Sequence, residues 1–168
     1  MKTEILTKSQ INQKIERIAF QIYENAFDEN QLFIGGIDGN GFEFAERLAK
    51  QLKSIATTDF KDGIHLFKIK VNKDKPLSEA ITLNIADNKL KNSSIIIADD
   101  VINSGRTMIH AVGRILNNPI KSIKTAVLVN RTHRRFPIHA NFEGMAISTT
   151  LQDSIIVEFG EKECAYLV

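Results

Sequence analysis

Ile95-Ile96-Ile97-Ala98-Asp99-Asp100-Val101-Ile102-Asn103-Ser104-Gly105-Arg106-Thr107 is the stretch that decides how this chain reads. Residues 95–98 are continuously apolar, the pattern of a strand covered on both faces in a parallel sheet. That places Asp99 and Asp100 at the carboxyl end of a buried strand, where open α/β sheets bind their ligands. Residues 103–107 then supply successive backbone N–H groups, two hydroxyls and a glycine at the opening of a helix, a local chemistry suited to phosphate. Two acids beside a phosphate cradle repel a bare phosphate. They make sense for a ligand that carries hydroxyl groups as well, as ribose 5-phosphate does: the carboxylates accept from the 2- and 3-hydroxyls while the loop holds the phosphate.

Two common phosphate motifs fail here. Gly105-Arg106-Thr107 imitates the end of a Walker A loop, but that motif needs glycine at position 100 and lysine at 106, where Asp100 and Arg106 stand. In the cluster Gly35-Gly36-Ile37-Asp38-Gly39-Asn40-Gly41, a G-x-G-x-x-G begun at Gly39 would need its third glycine at Phe44. Nucleotide hydrolysis and dinucleotide binding are therefore poor readings. A bland surface turn at Asp99-Asp100 does not account for the apolar strand before it and the Ser-Gly-Arg-Thr after it.

Working outward, the composition is that of a globular protein, with 168 residues, 43% hydrophobic and 25% charged. One domain spanning 1–168 is expected. The net charge of +2 conceals an uneven distribution. Residues 61–135 hold 14 Lys and Arg against 6 acids, and the remainder 8 against 14, so the middle of the chain suits a polyphosphate or RNA. No apolar run reaches membrane-spanning length, and Met1-Lys2-Thr3-Glu4 lacks the layout of a signal peptide. The single cysteine, Cys164, cannot form an internal disulfide and reads as a packing residue. A cytoplasmic location is expected, with no membrane partner.

Thr7-Lys8-Ser9-Gln10 reads as a capping box, followed by Ile11, Ile15, Ile18, Ile22 and Ala26 on one helical face. Residues 32–37 predict a buried strand, 42–52 a helix, and 65–71 a strand emerging into a charged loop. Residues 81–85 read as a returning strand, 108–116 as a helix stopped near Asn117-Asn118-Pro119, and 123–129 as another apolar strand. Ile147, residues 155–157 and residues 165–168 predict short strands joined by turns. Strand–helix alternation implies a parallel α/β sheet with the C-terminal strands added as a flap.

Residues 95–107 resemble the 5-phosphoribosyl 1-diphosphate (PRPP) motif of type I phosphoribosyltransferases. The wider chain is similar to the family of bifunctional pyrimidine operon attenuators and uracil phosphoribosyltransferases. That likeness is carried by Arg17-Ile18-Ala19, Gly36-Ile37 with Gly41, Asp99-Asp100-Val101 with Gly105-Arg106-Thr107, and residues 126–138 from Ala126 to Ile138. It implies the type I phosphoribosyltransferase fold, a central and mostly parallel sheet flanked by helices, with a small C-terminal β hood over the base at about 136–168. It further implies transfer of ribose 5-phosphate from PRPP to a base, with uracil giving UMP and pyrophosphate. Mg²⁺ would be bound through the substrate rather than by a protein cage, and the chain would form a homodimer or higher homo-oligomer.

Carried over residue by residue, the resemblance makes Asp99 and Asp100 the catalytic pair on the ribose hydroxyls, with Asn103, Ser104, Gly105, Arg106 and Thr107 around the 5-phosphate. Asp38, Gly39, Asn40 and Gly41 form the pyrophosphate loop; here the family has Lys, Thr and Arg where this chain has Asp38, Gly39 and Asn40. Lys68 and Lys70, with Lys73 and Lys75, fall in a mobile lid and would supply the missing positive charge. Arg131 and Ile155 match base and hood positions. Asn103 cannot accept a proton at neutral pH, which turns the reading away from purines, whose relatives carry an acid there. The rival is an RNA-binding regulator of pyrimidine genes using Arg17, His133 and Arg134 on a basic face, or a nucleotide sensor that has lost turnover. Gln13, Glu16 and Met145 stand where that family has Arg, Thr and Lys, which favours catalysis over RNA binding.

Overall fold

The computed structural model describes residues 2–168, and its element order follows the sequence pattern closely. A strand β1 (Thr3–Thr7) leads into helix α1 (Lys8–Asn25). Thr7 caps that helix as expected: the Gln10 N–H donates to Thr7 Oγ1 at 3.3 Å, and the Thr7 N–H donates to Gln10 Oε1 at 2.9 Å. This reciprocal pair satisfies two of the helix's orphan donors. Ile11, Ile15, Ile18 and Ile22 are all buried along one face. Next come β2 (Gln31–Ile37), α2 (Asn40–Ile55), β3 (Gly63–Lys70) and the two-residue β4 (Thr82–Leu83). After a 3₁₀ turn at Asp87–Leu90 the chain continues through β5 (Ser94–Ile102), α3 (Arg106–Ile115) and β6 (Ser122–Arg131), then β7 (Phe142–Ile147), β8 (Ile155–Glu158) and β9 (Cys164–Leu167).

Six strands form the central sheet in the order β4-β3-β2-β5-β6-β7. Only β4 is antiparallel; β2 pairs in parallel with both β3 and β5, β5 with β6, and β6 with β7. Burial alternates along the strands. Ile96 and Ala98 of β5 join Leu32, Ile34, Ala126 and Leu128 against α1 and α2, whereas Ile95 and Ile97 join Phe33, Ile37 and Val127 against Met108, Ala111 and Ile115 of α3. With both faces covered by helices, residues 95–98 of β5 carry no polar break. The chain reverses direction across the sheet between β2 and β5, so their carboxyl-terminal loops open side by side at a topological switch point.

The flap differs from the expected hood in two respects. β7, inside the 136–168 span, pairs with β6 and extends the central sheet. The small antiparallel sheet is instead β1-β9-β8, with Thr3–Thr7 of the N-terminus supplying an edge. Backbone pairing satisfies more groups when β7 continues an open sheet edge than when it stands apart, and β1 covers β9 in turn. Among the described residues no helix is long and apolar enough to cross a membrane.

One ion-pair cluster ties the small sheet to the helices. Arg47 of α2 donates to Glu163 Oε1 at 2.8 Å and to Glu43 at 2.9 Å, and its guanidinium lies over the Phe159 ring. The Arg47 hydrogen bond holds the Glu163 carboxyl below its ordinary value, against the opposing pull of burial. An acid held low in the folded state stabilises the fold at neutral pH, and that contribution is lost as pH falls through the carboxylate range. Glu163→Gln is expected to lose about 1–2 kcal/mol at pH 7. Melting curves from pH 7 to pH 3 should show the gap between variant and wild type closing below about pH 4.5.

Candidate active site

The loop that the sequence marks for phosphate is built by the end of β5 and the start of α3. Gly105 caps α3 in the left-handed conformation, with φ +85°. The first N–H groups of a helix have no partner within it, and those of Arg106, Thr107 and Met108 therefore point out of the amino end of α3. The Ser104 hydroxyl accepts from the Arg106 N–H at 3.3 Å. A cavity of about 230 Å³ opens there, lined by Asp99, residues 101–108 and Lys73. The structure thus brings together Asp99, Asn103, Ser104, Gly105, Arg106 and Thr107 around one small polar space. Asp100 is buried beside it but does not form its wall.

Asp99 sits at the join of three elements. Its Oδ1 accepts from the Asp100 N–H at 3.0 Å and lies 3.5 Å from Lys73 Nζ. It also packs against Gly41 at the start of α2, where a Cβ would meet Asp99 Oδ1 at 2.5 Å. Gly41 is needed for that approach of helix to carboxylate. Burial pushes the Asp99 carboxyl well above its ordinary value; the neighbouring Asp100 charge adds to this and Lys73 opposes it.

Lys73 reaches the site from the segment after β3. Its carbonyl accepts from Arg106 Nη2 at 3.0 Å while its ammonium faces Asp99, so the segment lies across the phosphate loop. Of the lysines expected in the lid, Lys73 meets Asp99. Lys68 instead lies 3.3 Å from Asp38 and 4.7 Å from the centre of the Phe42 ring. Lys70 and Lys75 are exposed.

The loop Asp38–Gly41 is tethered to the protein at Asp38 and Asn40, with Gly39 exposed between them. The Asp38 N–H donates to the Ile69 carbonyl at 2.9 Å, and Asp38 Oδ1 accepts from the Gly39 N–H at 3.0 Å. Asn40 Nδ2 donates to the Val157 carbonyl of β8 at 2.7 Å, which links this loop to the small sheet. Asp38 therefore cancels the charge that Lys68 brings to the same place. Asp38→Asn would free the lysine, and calorimetric titration with pyrophosphate should show affinity rising by about fivefold.

Several arginines singled out by the sequence are committed to internal acceptors. Arg131, 9% exposed, donates to Thr149 Oγ1 at 2.6 Å and to the Thr150 carbonyl at 2.7 Å, holding the loop before β8. Arg17 donates to the carbonyls of Glu143 and Gly144, at 3.2 and 2.6 Å, closing α1 onto β7. Arg134 donates to the carbonyls of Ile138 and Arg131, at 3.0 and 2.8 Å, to the Asn103 carbonyl and to Asn130 Oδ1. Burial pulls the Arg134 guanidinium below its usual value. His133 is half-buried beside them. Ile155 is buried in the core formed with Val157 and Ala165. The clamp formed by Arg134 and Asn130 left no signal in the sequence, because most of its acceptors are backbone carbonyls.

An open, mostly parallel sheet thus carries at its switch point a glycine-capped helix start with buried acids beside it, the place where such sheets bind ligands. Residues 1–163 match the model of the phosphoribosyl transferase domain, and the chain belongs to that family. The bifunctional protein PyrR of Streptococcus sanguinis is 33% identical over 175 residues, covering 97% of this chain and 94% of the relative. That of Enterococcus faecalis strain V583 is 32% identical over 169 residues, covering 98% and 93%. Among solved structures, the hypoxanthine phosphoribosyltransferase of Trypanosoma cruzi superimposes with a TM-score of 0.77 at 16% identity, over 98% of this chain and 95% of that one. A Bacillus anthracis hypoxanthine-guanine phosphoribosyltransferase gives 0.70 at 18% identity, over 86% and 81%. The fold is that of the phosphoribosyltransferases.

Proposed function

We propose that this chain transfers the ribose 5-phosphate group of PRPP to uracil, forming UMP and pyrophosphate. The observation that carries the reading is the pair of buried acids, Asp99 and Asp100, separated by two residues from the loop of residues 103–107, with Asp99 in the wall of the cavity that this loop lines. In the transfer, the C1–oxygen bond to pyrophosphate breaks, the bond from C1 to the ring nitrogen forms, and the ring N–H proton is released. Positive charge develops on the ribose, and the carboxylates of Asp99 and Asp100 stabilise it while accepting from the 2- and 3-hydroxyls. The N–H groups at the start of α3 hold the 5-phosphate. Asp99 and Asp100 offer the hard oxygen donors that Mg²⁺ prefers; the ion would arrive with PRPP and would supply positive charge to neutralise the departing anion. Lys73, which faces Asp99, has to leave the ribose position as substrate enters; the segment that carries it then screens the reaction from water.

Asn103 supplies no general base, which suits a pyrimidine better than a purine. A cytoplasmic location and a homodimeric or higher assembly belong to the same reading. The second reading, an RNA-binding regulator of pyrimidine genes, draws on the word bifunctional in the relatives' names. Against it, Arg17 and Arg134 spend donors on internal carbonyls, and in the groove between α1 and α2 Glu16, Glu43 and Glu46 stand beside Arg47 and Lys50, which leaves it without the positive excess that phosphate needs. Incubation with labelled PRPP, Mg²⁺ and a panel of bases tests the proposal. Labelled UMP from uracil supports it. Transfer to no base leaves a nucleotide sensor, and tight, salt-sensitive retention of pyrimidine-leader RNA on a filter would favour the regulator.

A further inference from the structure

The loop between β6 and β7 lies against the inner side of the phosphate loop, and the hydrogen bonds it donates there all go to carbonyls. Arg134 Nη1 donates to the Asn103 carbonyl, and the N–H groups of Arg135 and Phe136 donate to the Ser104 carbonyl at 2.9 and 3.0 Å. In a trans peptide the C=O and the following N–H point in opposite directions. A carbonyl of Asn103 held inward therefore turns the Ser104 N–H outward, and a carbonyl of Ser104 held inward does the same for the Gly105 N–H. Both N–H groups belong to residues that line the cavity. The guanidinium is itself fixed from behind. Its Nη2 donates to Asn130 Oδ1, and Asn130 Nδ2 donates to Glu143 Oε2 of β7. The Arg134 stem also runs close under Gly105, where a Cβ would lie 3.5 Å from its Cδ.

We infer that Arg134 is a positioning residue of the phosphate site, which orients the outward N–H groups of the phosphate loop through the Asn103 carbonyl, with Asn130 as its support. The inference deepens the proposed function and rests on it. Arg134 is the only side chain among the described residues shown donating to the Asn103 carbonyl. A planar fork can hold the carbonyls of Ile138, Arg131 and Asn103 together with Asn130 Oδ1, whereas an ammonium has three donors on one atom for these four acceptors. The role calls for fork geometry rather than charge.

Three variants, Arg134→Gln, Arg134→Lys and Asn130→Ala, test this by titration with ribose 5-phosphate and by the backbone amide resonances of Ser104 and Gly105. Arg134→Gln is expected to weaken ribose 5-phosphate by about tenfold and to shift both amides; in turnover the effect falls on KM for PRPP rather than on kcat. Arg134→Lys keeps the charge and should recover only part of the affinity, and Asn130→Ala should show the same shifts in smaller measure. If Arg134→Gln does not fold, the other two variants decide. Wild-type affinity with unmoved Ser104 and Gly105 amides in the variants would overturn the inference, as would a loss confined to RNA binding. A wild-type protein that ignores ribose 5-phosphate counts against the proposed function instead, and the amide shifts still judge the clamp.

Discussion

Asp99→Asn will lower the rate of transfer by about two to three orders of magnitude while raising the melting temperature at neutral pH. The first effect follows from the loss of a fixed negative charge where the ribose becomes positive, the kind of interaction whose removal costs most in an active site. The second follows from burial. Asp99 is 4% exposed beside a second buried acid, and its carboxyl is held well above the ordinary value of 3.8. An acid raised in the folded state favours folding while protonated, and that stability is lost as pH rises from the ordinary value through the raised one. The wild type therefore carries a penalty at pH 7 that the amide does not. Lys73, at 3.5 Å and half-exposed, offsets little of it. A gain of about 1 kcal/mol, or roughly 2–4 °C, is expected at pH 7, shrinking as the pH approaches 4. Melting curves across that range, measured beside transfer rates, check both halves. A variant that is both less stable and inactive would point to a structural role alone.

Gly105→Ala will remove phosphate binding and destabilise the fold. The residue holds φ +85°, where a side chain costs about 1–2 kcal/mol. A Cβ would also stand 2.6 Å from Ile138 Cγ2, so that the loop between β6 and β7 must retreat from the phosphate loop. The combined cost is about 2–4 kcal/mol, a fall of roughly 5–15 °C in melting temperature. Gly113→Ala on the same helix is the control: no atom lies within 4 Å of its Cβ position, and a helix interior gains about 0.5–1 kcal/mol from alanine. Equal melting temperatures for the two variants would contradict the strain argument.

The parts of this fold that were legible in the sequence are those set by local pattern. The capping box at Thr7 and Gln10, the apolar face of α1, the apolar run of β5 and the glycine opening α3 each depend on neighbours a few residues away. The glycine-capped turn into α3, with the buried acids ahead of it, was legible for the same reason. Pairings over long separations were not. Thr3–Thr7 buries only Leu6 and becomes a strand because residues 164–167 come to lie beside it. Phe142–Ile147 joins the central sheet because β6 offers it an edge.

Arginine roles were the least legible. Arg17, Arg131 and Arg134 read as charges facing a ligand or RNA, and each also donates to at least one internal backbone carbonyl. A sequence records the donor and is silent about such acceptors. The lid shows the same difficulty at finer scale. Lysines 68, 70, 73 and 75 were interchangeable by composition, and backbone geometry alone brings Lys73 to Asp99 and Lys68 to Asp38.

The central claim is that residues 99–107 form one site for a phosphate and the ribose hydroxyls next to it. Calorimetric titration of the wild type and of the Asp99→Asn, Asp100→Asn double variant with ribose 5-phosphate and with inorganic phosphate tests it most directly. The wild type should bind ribose 5-phosphate at least about tenfold more tightly than phosphate, through the hydroxyls. In the double variant that preference should vanish while phosphate still binds. Equal affinity for the two ligands in the wild type, or a preference untouched by removing both acids, would contradict the account.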